Sequence, residues 1–105
     1  MPECKSITKV ILPAIRASVA EVLNKTYKYT ESDIADRLSV AQPAVSKYLS
    51  NNCSEDILKL KSRILSSGMA DKLIAAIAGG RPRAEVEKEI DWLCGKLALE
   101  AEIKA

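Results

Sequence analysis

The stretch Glu31-Ser-Asp-Ile-Ala-Asp-Arg-Leu-Ser-Val-Ala-Gln-Pro-Ala-Val-Ser-Lys-Tyr-Leu-Ser50 decides the fold. Thr30 and Asp33 around its start form a capping box, because the Thr hydroxyl and the Asp carboxylate satisfy amides that an emerging helix leaves unpaired. A helix to Leu38 follows. Ser39-Val40-Ala41 is a corner of three residues, and Gln42-Pro43 opens a further helix to about Ser50, since Pro suits a first turn whose N–H has no partner anyway. Ile34, Leu38, Val40, Val45, Tyr48 and Leu49 then face inward, and small Ala35 sits where the two helices cross closely. This is the internal logic of a helix-turn-helix over about residues 30–50.

With those positions inside, Gln42, Pro43, Ser46 and Lys47 remain on the outer face of the second helix of the pair, near the end that such motifs insert into the major groove. A Gln there pairs in bidentate fashion with adenine, a Ser contacts a base edge or phosphate, and Lys47 reaches guanine or the backbone. Ser50, Asn51 and Asn52 behind them, and Thr30 and Ser32 at the start of the first helix, complete the expected contacts to double-stranded DNA.

Outward from this segment, Ile7, Ile11, Ile15, Val19, Val22 and Leu23 lie three and four residues apart on one helical stripe. Pro13 interrupts it, so the helix either kinks there or begins near Leu12, and its strongest part is expected from Leu12 to about Lys25. Asn51 and Asn52 tolerate the left-handed conformation that ends a helix, and Ser54-Glu55-Asp56 starts another with Ile57, Leu60, Ile64 and Leu65. Gly68 stops that one. A short helix with Leu73, Ile74 and Ile77 ends at Gly79-Gly80, and Pro82 opens the last and longest helix, to about Lys104. An all-α fold of five to six helices is expected, as one domain over residues 1–105.

The last helix carries apolar residues on two nearly opposite sides, Val86, Ile90, Leu93 and Leu97 on one and Trp92, Leu99 and Ile103 on the other. A small monomer hardly buries both. One stripe is expected to pack on its own domain and the other on a second subunit, giving a homodimer held by the helices after residue 54.

Composition narrows the function classes. In 105 residues there is no room for a second, catalytic domain. Hydrophobic residues make up 48% and charged residues 29%, enough apolar surface for a globular core. The net charge of +2 does not announce a nucleic-acid partner. Its distribution is more informative: residues 1–52 carry seven basic and five acidic side chains against nine of each in 53–105, so the excess lies in the half with the motif. Cys4, Cys53 and Cys94 form no close pair and there is no His, which fits neither a disulfide framework nor a zinc ribbon, and buried thiols are favoured over an iron–sulfur or metal sensor. No cofactor or metal is implied. The carboxylates Glu85, Glu87, Glu89 and Asp91 read as a solvated helix face, and no nucleophile, base or phosphate-cradling loop accompanies them, so no enzyme is expected. Gly80-Arg81-Pro82-Arg83 resembles an AT-hook core but reads better as a helix stop and start. Tyr27-Lys28-Tyr29 reads as a turn beside the core rather than a base-stacking platform. No apolar run approaches bilayer length and the N-terminus lacks the charged-then-apolar layout of a signal peptide, so a cytoplasmic protein without a membrane partner is expected.

The chain resembles the lambda-repressor-like helix-turn-helix regulators, and among them a group of archaeal predicted transcriptional regulators. The likeness rests on Ile11-Leu-Pro-Ala-Ile-Arg-Ala17, Val19-Ala20 and Ala44-Val-Ser-Lys-Tyr-Leu49 and covers roughly half the sequence. It implies a compact helical DNA-binding domain, usually dimeric, that reads palindromic half-sites about one helical turn apart. Some members of that group carry a thiamine-phosphate-synthase-like sensing domain after the module; none is expected here. The family commonly has Gly at the first corner residue, where this chain has Ser39, so the corner is either adopted at slight strain or differs in backbone shape. The expected function is transcriptional regulation, repression before activation, with a helical protein-interaction or adaptor module as the alternative.

Overall fold

The computed structural model describes the backbone of residues 7–104 and the side chains of 9–99. Cys4 and the side chain of Ile103 lie outside these described residues. Within them the chain is all-helical: a single π-helical turn, Ile7–Ile11, runs into α1 (Leu12–Lys25), followed by α2 (Glu31–Leu38), α3 (Gln42–Leu49), α4 (Glu55–Ser67), α5 (Asp71–Ala78) and α6 (Arg83–Lys104).

Pro13 accounts for the π-turn. Its ring has no N–H and crowds the carbonyl four residues back, so the turn before it widens instead of continuing the α ladder. The sequence left a kink or a late start open; the chain enters α1 through a local change of helix type.

α1 is the centre of the molecule and touches every other element. Its buried residues, Ala14, Ile15, Ala17, Ser18, Val19, Ala20 and Leu23, lie all around the helix rather than on one stripe, as expected for a helix enclosed by neighbours. Four of these seven are Ala or Ser, which lets the surrounding backbones approach closely. The Ser18 hydroxyl donates to the Ala14 carbonyl at 2.8 Å, so its burial leaves no unpaired polar atom.

Local chemistry sets the ends of the helices around α1. Thr30 Oγ1 accepts from the Asp33 amide at 3.1 Å and Ser54 Oγ from the Ile57 amide at 3.4 Å, each closing a helix N-terminus. Gly68 ends α4 with φ 72°, a conformation that only glycine adopts without cost. After α5, Arg81 N–H reaches back to the Ala76 carbonyl at 3.0 Å and Gly80 N–H to Ile77 at 3.2 Å, with Gly80 at φ 72°. That pair of bonds is the Schellman helix stop, so Gly80-Arg81-Pro82-Arg83 performs the structural task read from its sequence.

α6, with 22 residues, is about 33 Å long and spans most of the 37 Å longest dimension. Val86, Leu93 and Leu97 are buried and Ile90 is half-buried against α5, α1 and the π-turn. On the opposite side Trp92 and Leu99 are 56% and 58% exposed, so the two-sided pattern of this helix is present in the structure.

Candidate nucleic-acid interface

α2 and α3 meet at the Ser39-Val40-Ala41 corner, and Ser39 adopts the left-handed conformation, φ 59° and ψ 42°. Val40 N–H donates to the Ala35 carbonyl at 3.0 Å and Ser39 N–H to Asp36 at 3.3 Å, the same Schellman closure made without glycine. Of the two possibilities the sequence left, the corner is therefore formed in its usual shape, at a steric cost of about 1 kcal/mol for a residue with a Cβ. Ser39→Gly is expected to raise stability by up to about 1 kcal/mol, part of the relief being offset by the freer unfolded chain, and Ser39→Val to lower it by about 2 kcal/mol. Urea denaturation of the two variants checks this.

Beyond the corner, Ala41 is extended and α3 begins with Pro43 in its first turn. Val45 is fully buried, and Ala44, Tyr48 and Leu49 are half-buried. Gln42, Pro43, Ser46 and Lys47 are all exposed. They lie as two pairs four residues apart, Gln42 with Ser46 and Pro43 with Lys47, and so share one outward face. Among the described residues the side chains of Gln42, Ser46 and Lys47 have no hydrogen-bond or ion-pair partner, and their donors and acceptors are open to solvent. Ala41 supplies no side-chain cap, which leaves the positive end of the α3 dipole uncovered. The sequence holds no carboxylate between Asp36 and Glu55, so α3 itself carries no negative side chain and one positive one, Lys47.

The other sequence-predicted residues are placed differently. Ser50 is exposed, with its hydroxyl donating to the Lys47 carbonyl at 3.3 Å. Asn51 closes α3 in the left-handed conformation, φ 59°, with its own N–H and that of Asn52 returning to the carbonyls of Tyr48 and Lys47. Its Oδ1 accepts from Lys61 Nζ at 2.7 Å, and that ammonium also lies 2.8 Å from Glu21 Oε1. Asn51 therefore clamps the end of α3 to α4 and α1. Sequence reasoning missed this clamp, because nothing in the α4 pattern marked Lys61 as buried. Thr30 Oγ1 accepts in the helix cap and keeps its own O–H to donate, and Ser32, although exposed, sits in a turn with Glu31 and Asp33 and one turn before Asp36. These carboxylates repel a phosphate at that end of α2. The outward face of α3 is thus the coherent part of the candidate set.

The Tyr27–Tyr29 segment is a turn against the body: Tyr29 is half-buried and the Arg37 guanidinium stacks 4.6 Å from its ring centroid. Cys53 and Cys94 are free, half-buried thiols. Burial and the neighbouring Asp91 push the Cys94 thiol up from its ordinary value, against a smaller opposing pull from Arg16. Among the described residues no group of three His, Cys, Asp or Glu side chains could hold a metal ion, and no helix is long and apolar enough to cross a membrane.

A scan against protein-family models and searches of curated proteins and of solved structures find no match for this chain.

Proposed function

We propose that this chain binds double-stranded DNA by laying the outward face of α3 in the major groove, and that it acts in the cytoplasm as a transcriptional regulator of the lambda-repressor-like kind that its sequence resembles. The observation that carries the reading is the division of α3: Val45 is fully buried while Gln42, Pro43, Ser46 and Lys47 stand free beside an uncapped helix N-terminus. Gln42 reads adenine through its amide, Ser46 a base edge or phosphate, and Lys47 guanine or the backbone. Repression follows from the equipment, because a bound domain of this size blocks polymerase without needing an activating contact.

The active species in this proposal is a homodimer joined through α6. The exposed Trp92 and Leu99 supply its apolar contact, and two-fold symmetry would set two copies of α3 on successive half-sites. Leu99→Asp is expected to convert a two-chain particle into a single chain of 11.4 kDa by light scattering, with no loss of helicity because Leu99 supports no internal contact of the core. An unchanged mass in that variant removes α6 as the dimer contact.

The acidic first turn of α2 favours one other reading, an adaptor whose α3 face docks on protein. Titrating labelled duplex of mixed sequence with the chain separates the two. DNA binding predicts a fall in affinity of at least about a hundredfold between about 50 and about 200 mM salt, as counterions released from several phosphates require. Undetectable binding at the low-salt end supports the adaptor.

A further inference from the structure

A second concave surface adjoins the corner. A cleft of about 600 Å³ opens between α1, the end of α2 and α6, a size within the range of about 300–1,000 Å³ typical of small-molecule sites. Its lining includes the apolar Leu12, Leu38, Val86 and Ile90 and three arginines, Arg16, Arg37 and Arg83.

These arginines are not spent on one another's neighbours. Arg37 is held in place, its Nη1 donating to the Ile77 carbonyl at 2.9 Å and its plane stacked on Tyr29, and its other N–H groups remain. Among the described residues neither Arg16 nor Arg83 has an ion-pair partner. A fork of N–H donors in a partly apolar lining matches a carboxylate on a hydrocarbon or aromatic body. Glu87 and Asp91 also line the cleft. With three cations against two anions, the site suits a monoanion and disfavours the several charges of a nucleotide or a nucleic-acid strand.

Gly95 adds an independent observation. It stands within the long helix α6 and borders the same cleft, where glycine weakens a helix relative to alanine. Packing does not demand it, since a Cβ built there meets nothing within 4 Å. A larger side chain at this position would extend into open space beside the cleft.

We propose that this cleft binds a small apolar carboxylate, with the carboxylate on Arg16 and Arg83 and the apolar body over Leu38 and Ile90. Leu38 and Ser39 belong to the corner that sets α3, so a bound ligand braces α2 against α6. Any effect of the ligand on DNA rests on the function proposed above, whereas binding itself does not.

The test uses the full chain without DNA. 8-Anilinonaphthalene-1-sulfonate, an apolar anion that fluoresces when desolvated, is titrated into the protein and then displaced with decanoate. Saturable binding at one probe per chain is expected, with full displacement. Arg16→Gln and Arg83→Gln should each weaken decanoate about tenfold, as loss of a charge-assisted hydrogen bond does. Gly95→Leu, whose side chain would extend into open space beside the cleft, should abolish displacement, and Tyr27→Ser, which removes an exposed ring that does not line the cleft, should leave it unchanged. Arg83 is exposed and bears on no core contact, so that variant remains decisive if Arg16→Gln does not fold. Absence of saturable binding overturns the proposal. So does displacement indifferent to Arg83→Gln and Gly95→Leu, or lost only in Tyr27→Ser. None of these outcomes touches the DNA reading, which the salt titration decides separately.

Discussion

Val45→Asp is expected to abolish cooperative folding, while the same change one position later, Ser46→Asp, leaves stability within about 0.5 kcal/mol. Both variants place Asp in the interior of the eight-residue helix α3, so helix propensity is matched and only the facing of the side chain differs. Val45 is completely buried among the residues that join α3 to α1 and α2. A carboxylate there has no cation to pair with, and the cost of several kcal/mol consumes most of the roughly 5–15 kcal/mol by which a small domain is stable. Ser46 is exposed and without a partner. Under the proposed function Ser46→Asp still destroys DNA binding, by setting a negative charge against phosphate. Thermal unfolding followed by circular dichroism distinguishes the pair: the reverse order of stabilities would mean that the two faces of α3 have been exchanged, and equal tolerance would mean that Val45 is not enclosed.

The second large effect is expected in the Glu21–Lys61–Asn51 network. Lys61 carries an ammonium on a side chain only 5% exposed, held by Glu21 at 2.8 Å and Asn51 at 2.7 Å. Glu21→Gln leaves that charge buried with hydrogen bonds alone, and a loss of about 3 kcal/mol is expected. Lys61→Met should cost less. It removes the buried charge and keeps an apolar stem, while Glu21, 23% exposed, retains water and Lys25 at 3.8 Å. The double variant should then recover most of what Glu21→Gln loses, because replacing a buried pair by groups of similar volume is often close to neutral. Chemical denaturation of the four proteins in this cycle gives the coupling directly; additive losses would show that Glu21 and Lys61 are not coupled. Because Asn51 ends α3, the same single variants should also loosen the end of the proposed reading helix.

The order and ends of the helices were legible because each boundary has a short-range chemical mark. Thr30 and Ser54 cap, Gly68 and Gly80 stop, and Asn51 turns left-handed, and each acts through bonds to residues within five positions of itself. The two faces of α3 and of α6 were legible for a similar reason, since helical periodicity fixes which residues share a side before any partner is known. Three features were not. The π-turn before α1 depends on how Pro13 is accommodated, for which the sequence allows more than one solution. The Lys61 clamp requires knowing which side of α4 meets α1, and its three members are ten and forty positions apart in the chain. Asn51, read from the sequence as a phosphate contact, therefore also has a structural task through its oxygen, which leaves its Nδ2 donors. The arginine-lined cleft has the same origin, for Arg16, Arg37 and Arg83 converge only when α1, α2 and α6 pack. Ser39 is an intermediate case: the sequence located the corner, and in the fold serine accepts the left-handed conformation there.

The claim on which the functional reading stands is that the outward side chains of α3 read base sequence. It is tested most directly by selecting duplexes from a random pool with the native chain, then measuring native and Gln42→Ala affinities for the selected duplex and a scrambled one at a single salt concentration. The native chain should prefer the selected duplex by about a thousandfold or more. Gln42→Ala should lose about 1–3 kcal/mol on that duplex, the worth of one bidentate base contact, and almost nothing on the scrambled one. A native chain that enriches no sequence, or a Gln42→Ala variant that binds the selected duplex as tightly as the native protein, would contradict it.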